Sequence, residues 1–391
     1  MKTAVRRVLR GGLWAMTRLR LSVRLSDRRD VLLCCNDPLM TKFLRPLWEL
    51  FREDHRLKFR VVLLPPSSFK RSDSELDYMR AELPVREVGT NWAYSRAWDL
   101  VVCADHCFGN ARRRSPSVFI SHGMPGKIVP GETEEYSCSQ HARDKKGRIV
   151  YRRIFTAREA DAARLIESNP ALEGTLVAVG DLENDQLLEQ SRHREEFRRE
   201  FGYKPEDVVV FVQSTWGEHC IWHTIGDALL SEARRLQSEF KFILSTHPHE
   251  YRAKPPGERV WGEYLRSFRA DGFVVREPSE GWIPYMVASD IVVSDHTNLV
   301  QAAVLLEKPV IFSPVPKDVI WKESATWKIQ QFAPVLEDAG RLGEYLSRAK
   351  EDYPFDKLHE LAREIHPHAG EAAGRICREI YNLLGIPRLD V

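Results

Sequence analysis

Ile291–Pro314, IVVSDHTNLVQAAVLLEKPVIFSP, reads as strand, loop, helix and strand. Ile291 to Val293 is apolar and β-branched, as a parallel strand buried on both faces requires. Leu299 to Leu306 is apolar and Ala-rich, which suits a buried helix, and Lys308-Pro309 stops it. Val310 to Phe312 is the next strand. Between the first strand and the helix lie Ser294, Asp295, His296, Thr297 and Asn298. Backbone N–H groups and the helix dipole favour an anionic group there. The competing use of the same side chains is to cap the helix.

The chain before this stretch repeats the pattern. Val208–Val212 is a strand ending in Gln213-Ser214-Thr215-Trp216, and Asp227–Phe240 fits a helix. Phe242–Ser245 is a strand ending in Thr246-His247-Pro248-His249, and Phe273–Arg276 is another. Three strand ends of one sheet thus carry STW, THPH and SDHTN. Their convergence points to a cradle for a diphosphate. His219, Cys220 and His223 are metal-ligand types, but their order is not the H-E-x-x-H zinc arrangement, and no metal is expected.

The first half is also α/β. Strands are expected at Val31–Cys35, Phe59–Leu64, Leu100–Ala104, Val118–Ser121, Ile154–Ala157 and Thr175–Val179, with helical patterns at Leu39–Phe51 and Glu159–Glu167. Strands alternating with helices predict a parallel, doubly wound sheet, with its ligand beyond the carboxyl ends of the strands. Two of those ends carry Asp105-His106 and His122-Gly123. His122 is placed as a general base, since an imidazole titrates near neutrality. The alternative is a turn histidine bonded to backbone. Gly123 permits a close backbone approach, and Lys127 adds positive charge. The very polar stretch Ser191–Tyr203 is read as the domain junction, within residues 190–205.

At 391 residues the chain holds two domains of ordinary size. With 43% hydrophobic and 29% charged residues it is a globular composition, and a net charge of only +2 excludes a large nucleic-acid surface. Seven scattered cysteines with no secretory signal point to a reducing cytoplasm. No apolar run approaches the roughly 18 residues that span a bilayer. Met1–Asp30 is different. It carries nine Lys and Arg against two Asp, interleaved with apolar residues including Trp14. As a helix it would have a basic and an apolar face, suited to an anionic membrane surface. Packing on the protein's own core is the other option. The expected domains are residues 1–30, 31–195 and 196–391, with the last helix packing back on the N-terminal domain.

The ordered motifs resemble the CDP-glycerol glycerophosphotransferase family, the teichoic-acid primases and polymerases. They are His122-Gly123-Met124-Pro125, Gly180–Asp185, Ser214-Thr215-Trp216, His247-Pro248-His249, Asp295–Asn298, Lys308–Phe312 and His368–Glu371. The family's D-Y-S-S is here Asp295-His296-Thr297-Asn298. Ser214 replaces the proline before Thr-Trp, and the G-x-P proline is missing. The resemblance implies a GT-B architecture, two Rossmann-like domains with parallel sheets facing a cleft. It also implies an alditol phosphate transferred from a CDP-alditol to a hydroxyl of a lipid-linked or glycan acceptor, without cofactor or metal, on the inner face of the cell membrane. His122 and His247 would be catalytic. Gly123, Lys127, Thr215, His249, Ser294, Asp295, Thr297 and Asn298 would bind substrate. Two further readings remain: a GT-B glycosyltransferase or UDP-sugar 2-epimerase-like enzyme, and a non-catalytic binding module.

Overall fold

The computed structural model describes residues 28–65, 72–104, 115–120, 142–144, 146–316, 319–320, 322 and 324–387. The amphipathic segment expected at residues 1–30 lies almost wholly outside them. The described chain forms two compact units. The first runs to Glu183 and resumes at His368, and the second is Asn184–Pro367.

The first unit is a six-stranded sheet in the order β2-β1-β3-β4-β5-β6. Its strands are β1 (Arg29–Cys35), β2 (Leu57–Leu63), β3 (Leu100–Cys103), β4 (Ser117–Ile120), β5 (Arg153–Thr156) and β6 (Leu176–Ala178). Every pairing is parallel. The unbroken apolar runs follow from burial on both faces. Val31, Leu33 and Cys35 join one apolar cluster with Leu100 and Val102, while Leu32 and Cys34 join a second with Val101 and Cys103. Alternate residues thus feed opposite faces.

The second unit is a five-stranded parallel sheet in the order β11-β10-β7-β8-β9. Its strands are β7 (Val208–Gln213), β8 (Phe240–Leu244), β9 (Val274–Val275), β10 (Ile291–Ser294) and β11 (Val310–Phe312). Helix Leu299–Leu305 connects the last two, as the opening stretch predicts. All eleven expected strands are present, displaced by two residues or fewer at either end.

The polar stretch read as the domain junction forms helix Arg194–Glu200 and belongs to the second unit, which begins at Asn184. Arg198 is the reason: it is 2% exposed. Its guanidinium donates to the carbonyls of Ala288 (3.0 Å) and Lys204 (2.9 Å) and to the Asp290 carboxylate (3.1 Å). Arg194 reaches the same carboxylate at 2.5 Å. Asp290 in turn accepts the Val209 N–H at 2.8 Å, so this charged network fastens the helix to the start of β7.

Helix Ala372–Leu384 returns to the first unit, where Ile376, Ile380 and Leu384 enter its apolar cluster. Tyr381 donates its hydroxyl to buried Asp54 at 2.8 Å, and Arg56 completes the pair at 2.7 Å. Hydrogen bonds from Arg56 hold the Asp54 carboxyl down at about 2, against an ordinary 3.8. A depressed carboxylate stabilises the fold above its unfolded pKa, and that contribution is lost as pH falls through its folded pKa. We therefore expect the stability gap between wild type and Asp54→Asn to shrink as pH falls from about 4 to about 2, in urea unfolding across that range. Tyr381→Phe should cost about 1–2 kcal/mol at neutral pH. A gap that stays constant down to pH 2 would contradict this assignment.

Candidate functional site

In the second sheet, β8 and β9 lie on one side of β7 and β10 and β11 on the other. The strand order reverses between β7 and β10, and in open α/β sheets ligands bind beyond the carboxyl ends at such a point. The carboxyl edge is polar although the strands are apolar. Gln213, Ser214, Thr215, Ser245, Thr246, Arg276, Ser294, Asp295 and Ser313 are all buried along it.

Asp295 stitches the reversal point. Its carboxylate accepts the Ser214 hydroxyl at 2.6 Å and the N–H groups of Thr215, Ile221 and Thr297, each at 3.0 Å. Burial pushes its carboxyl up, opposed by those four donors. Ser294 is also fully buried, and its Oγ accepts from Gln213 Nε2 at 3.1 Å. Ser294 and Asp295 are both among the residues expected to bind substrate. Both lie inside the fold and fix the loops that follow β7 and β10. Around them, the Oε1 of Gln213, the Oγ1 of Thr246 and the Oγ of Ser313 are buried with no hydrogen-bond partner among the described residues.

The remaining expected residues stand at the rim. Thr297 and Asn298 are partly exposed before helix Leu299–Leu305, and Thr297 Oγ1 accepts from Leu299 N at 3.4 Å. The helix has only seven residues, so its dipole adds little. Thr215 is buried, and its N–H is committed to Asp295. His247 and His249 are partly exposed beyond β8, with ring centroids 4.7 Å apart. His247 Nδ1 accepts the His249 N–H at 3.1 Å, so the ring proton sits on Nε2 and makes that atom a donor. Arg276, beyond β9, braces this loop. It donates to Ser245 Oγ at 2.8 Å and to the Thr246 carbonyl at 3.3 Å. Arg276 was not among the sequence candidates, because nothing local marks an arginine as buried. His122, Gly123 and Lys127 lie outside the described residues, as do Asp105 and His106.

Three other motif segments have architectural uses. Lys308 is buried, and its ammonium donates to the carbonyls of Val287 and Ser289, closing the end of helix Ile283–Ala288. Gly180 has φ +87°, and a Cβ there would meet His368 and Ala372 at 3.0–3.1 Å. The Gly180 and His368–Glu371 segments are thus two sides of one contact in the first unit. His368 Nε2 lies 2.7 Å from Glu159, and Arg375 donates to the Ala178 carbonyl at 3.2 Å. In the second unit, His366 Nε2 donates to the Gln301 carbonyl at 2.8 Å, leaving Nδ1 to accept from Asn184 at 3.2 Å. Cys220 is buried, and burial pushes its thiol up to about 11.

Comparison with solved structures places this architecture among known folds. The wall teichoic acid polymerase TagF aligns with 93% of this chain and 90% of its own, at a TM-score of 0.63 and 12% identity. UDP-GlcNAc 2-epimerase from Neisseria meningitidis, bound to UDP-GlcNAc, aligns with 90% of this chain and 99% of its own, at 0.57 and 16%. A glycosyltransferase from Rickettsia africae aligns with 92% and 99%, at 0.51 and 11%. No protein-family model and no curated protein sequence matches the chain. The chain has the GT-B type of α/β fold, with two Rossmann-like units built on parallel sheets.

Proposed function

We propose that this protein is a transferase that moves an alditol phosphate, glycerol phosphate first among them, from a CDP-alditol to an acceptor hydroxyl and releases CMP. The acceptor is a lipid-linked or polysaccharide glycan of the cell envelope. The basic segment Met1–Asp30 holds the enzyme on the inner face of an anionic membrane. The observation that carries the reading is the polar carboxyl edge of the second sheet, where His247 Nε2 and the rim residues Thr297 and Asn298 follow the two strands that flank β7. The order of the motifs, and the likeness of the fold to a teichoic acid polymerase, support it.

In this mechanism the diphosphate lies over the point of strand reversal. His247, His249, Thr215, Thr297 and Asn298 donate to its oxygens, with Ser294 and Asp295 holding the loops. The acceptor oxygen bonds to the β-phosphorus, and the bond from that phosphorus to the bridging oxygen breaks. The hydroxyl proton passes to His122, and the leaving CMP carries the released electron pair. Donors fixed before reaction stabilise the charge that develops on the phosphates.

The fold is also shared with a UDP-GlcNAc 2-epimerase, which supports nucleotide-sugar chemistry as a second reading. Thermal shift with CDP-glycerol, CDP-ribitol and UDP-GlcNAc separates the two. CDP-alditols should raise the melting temperature and UDP-GlcNAc far less, since only a bound ligand adds stability. His122→Ala should then lower CMP release by about 10²–10⁴ with donor affinity nearly intact. His247→Ala should lower both. A strong response to UDP-GlcNAc with none to CDP-alditols would replace the first reading by the second.

A further inference from the structure

Trp216 stands directly beyond Thr215 at the carboxyl end of β7 and is 42% exposed, one of four large apolar side chains so exposed among the described residues. Its ring centroid is 5.0 Å from that of His249 and 6.2 Å from that of His247, tilted against both. This aromatic surface is braced from below. Glu250 is 1% exposed, accepts the Gly217 N–H at 3.4 Å, and lies 2.9 Å from His223 Nε2 and 3.4 Å from Lys254 Nζ. Gly217 turns the chain at φ +96°, a conformation that a side chain disfavours. Glu250, the residue after His249, therefore ties that loop to Gly217, the residue after Trp216.

We propose that Trp216, with His249 packed against its ring, presents a stacking face for the base of a nucleotide whose phosphates lie on His247, His249 and the neighbouring strand-end donors. This rests on the donor-site reading above and extends it to the nucleoside end. The ligand class follows from what is adjacent: the flat face of an exposed indole beside groups that donate to an anion. A nucleotide offers a planar ring next to phosphates, whereas an acyclic alditol has no flat face. Stacking on an aromatic side chain is worth roughly five- to hundredfold in affinity per base and tolerates any base. The platform thus sets nucleotide affinity in general, and the choice of cytosine over uracil is made by other groups.

Calorimetry on the full chain with CDP, UDP and inorganic pyrophosphate tests this. Trp216→Ala should weaken CDP binding about tenfold or more, and UDP by the same factor. Trp216→Phe should retain most of the affinity, and pyrophosphate should bind all three proteins alike. Unchanged melting temperatures show that the variants are folded. CDP binding by Trp216→Ala at wild-type strength would overturn the platform while leaving the donor site standing. An equal loss of pyrophosphate would also overturn it, by showing that Trp216 shapes the cradle and does not stack. Failure of the wild-type protein to bind either nucleotide would remove the donor-site reading, and the platform with it.

Discussion

Asp295→Ala is expected to destabilise the second unit by about 4 kcal/mol, a large share of an ordinary domain's stability. The carboxylate is fully buried and accepts four donors from two loops. Removing it leaves a hydroxyl and three backbone N–H groups buried without their partner, at about 1–3 kcal/mol each before relaxation. Asp295→Asn should be nearly as damaging. Its amide nitrogen would face a donor whichever way it points, because both carboxylate oxygens accept. Urea unfolding of the three proteins measures the effect. An Asn variant within about 0.5 kcal/mol of wild type would show that the donors find other partners, and that Asp295 is not the stitch between β7 and β10.

Gly180→Ala should cost the first unit about 2–5 kcal/mol, the sum of two causes. The residue sits at φ +87°, where a non-glycine residue is strained by about 1–2 kcal/mol. The new Cβ would also meet Ala372 Cβ at 3.0 Å and the Cβ and carbonyl oxygen of His368 at 3.1 Å. None of these is the far end of a flexible chain, so backbone must move, at about 1–3 kcal/mol for overpacking. Gly174 is the internal control. It has φ +72°, and a Cβ added there would meet nothing within 4 Å, so Gly174→Ala should show the backbone strain alone. Chemical unfolding and limited proteolysis near His368 compare the two. Equal costs for both variants would mean that the Gly180–His368 contact yields freely.

Much of this protein follows from its order of residues alone. Most strands carry a run of apolar residues, as a strand covered on both faces does. Val31 to Cys35 illustrates it, with odd positions in one cluster and even positions in the other. The polar groups that end β7, β8 and β10 were equally legible, because a break from apolar to polar marks a strand end. Tertiary structure decided what those groups do. Asp295 and Asn298 belong to one short polar loop, yet one is sealed inside and the other reaches the rim. Nothing local distinguishes them: the difference arises because the distant Ser214–Ile221 loop folds its donors onto Asp295. Arg198 shows the same limit. Its neighbours are charged, so the segment reads as a polar junction between domains, but carbonyls and a carboxylate from other segments satisfy its guanidinium and draw it inside. Local pattern determines which segments become strands, since burial of apolar surface depends on composition and period. The role of a polar side chain depends on which distant donors and acceptors the fold brings to it, and only the assembled structure supplies those.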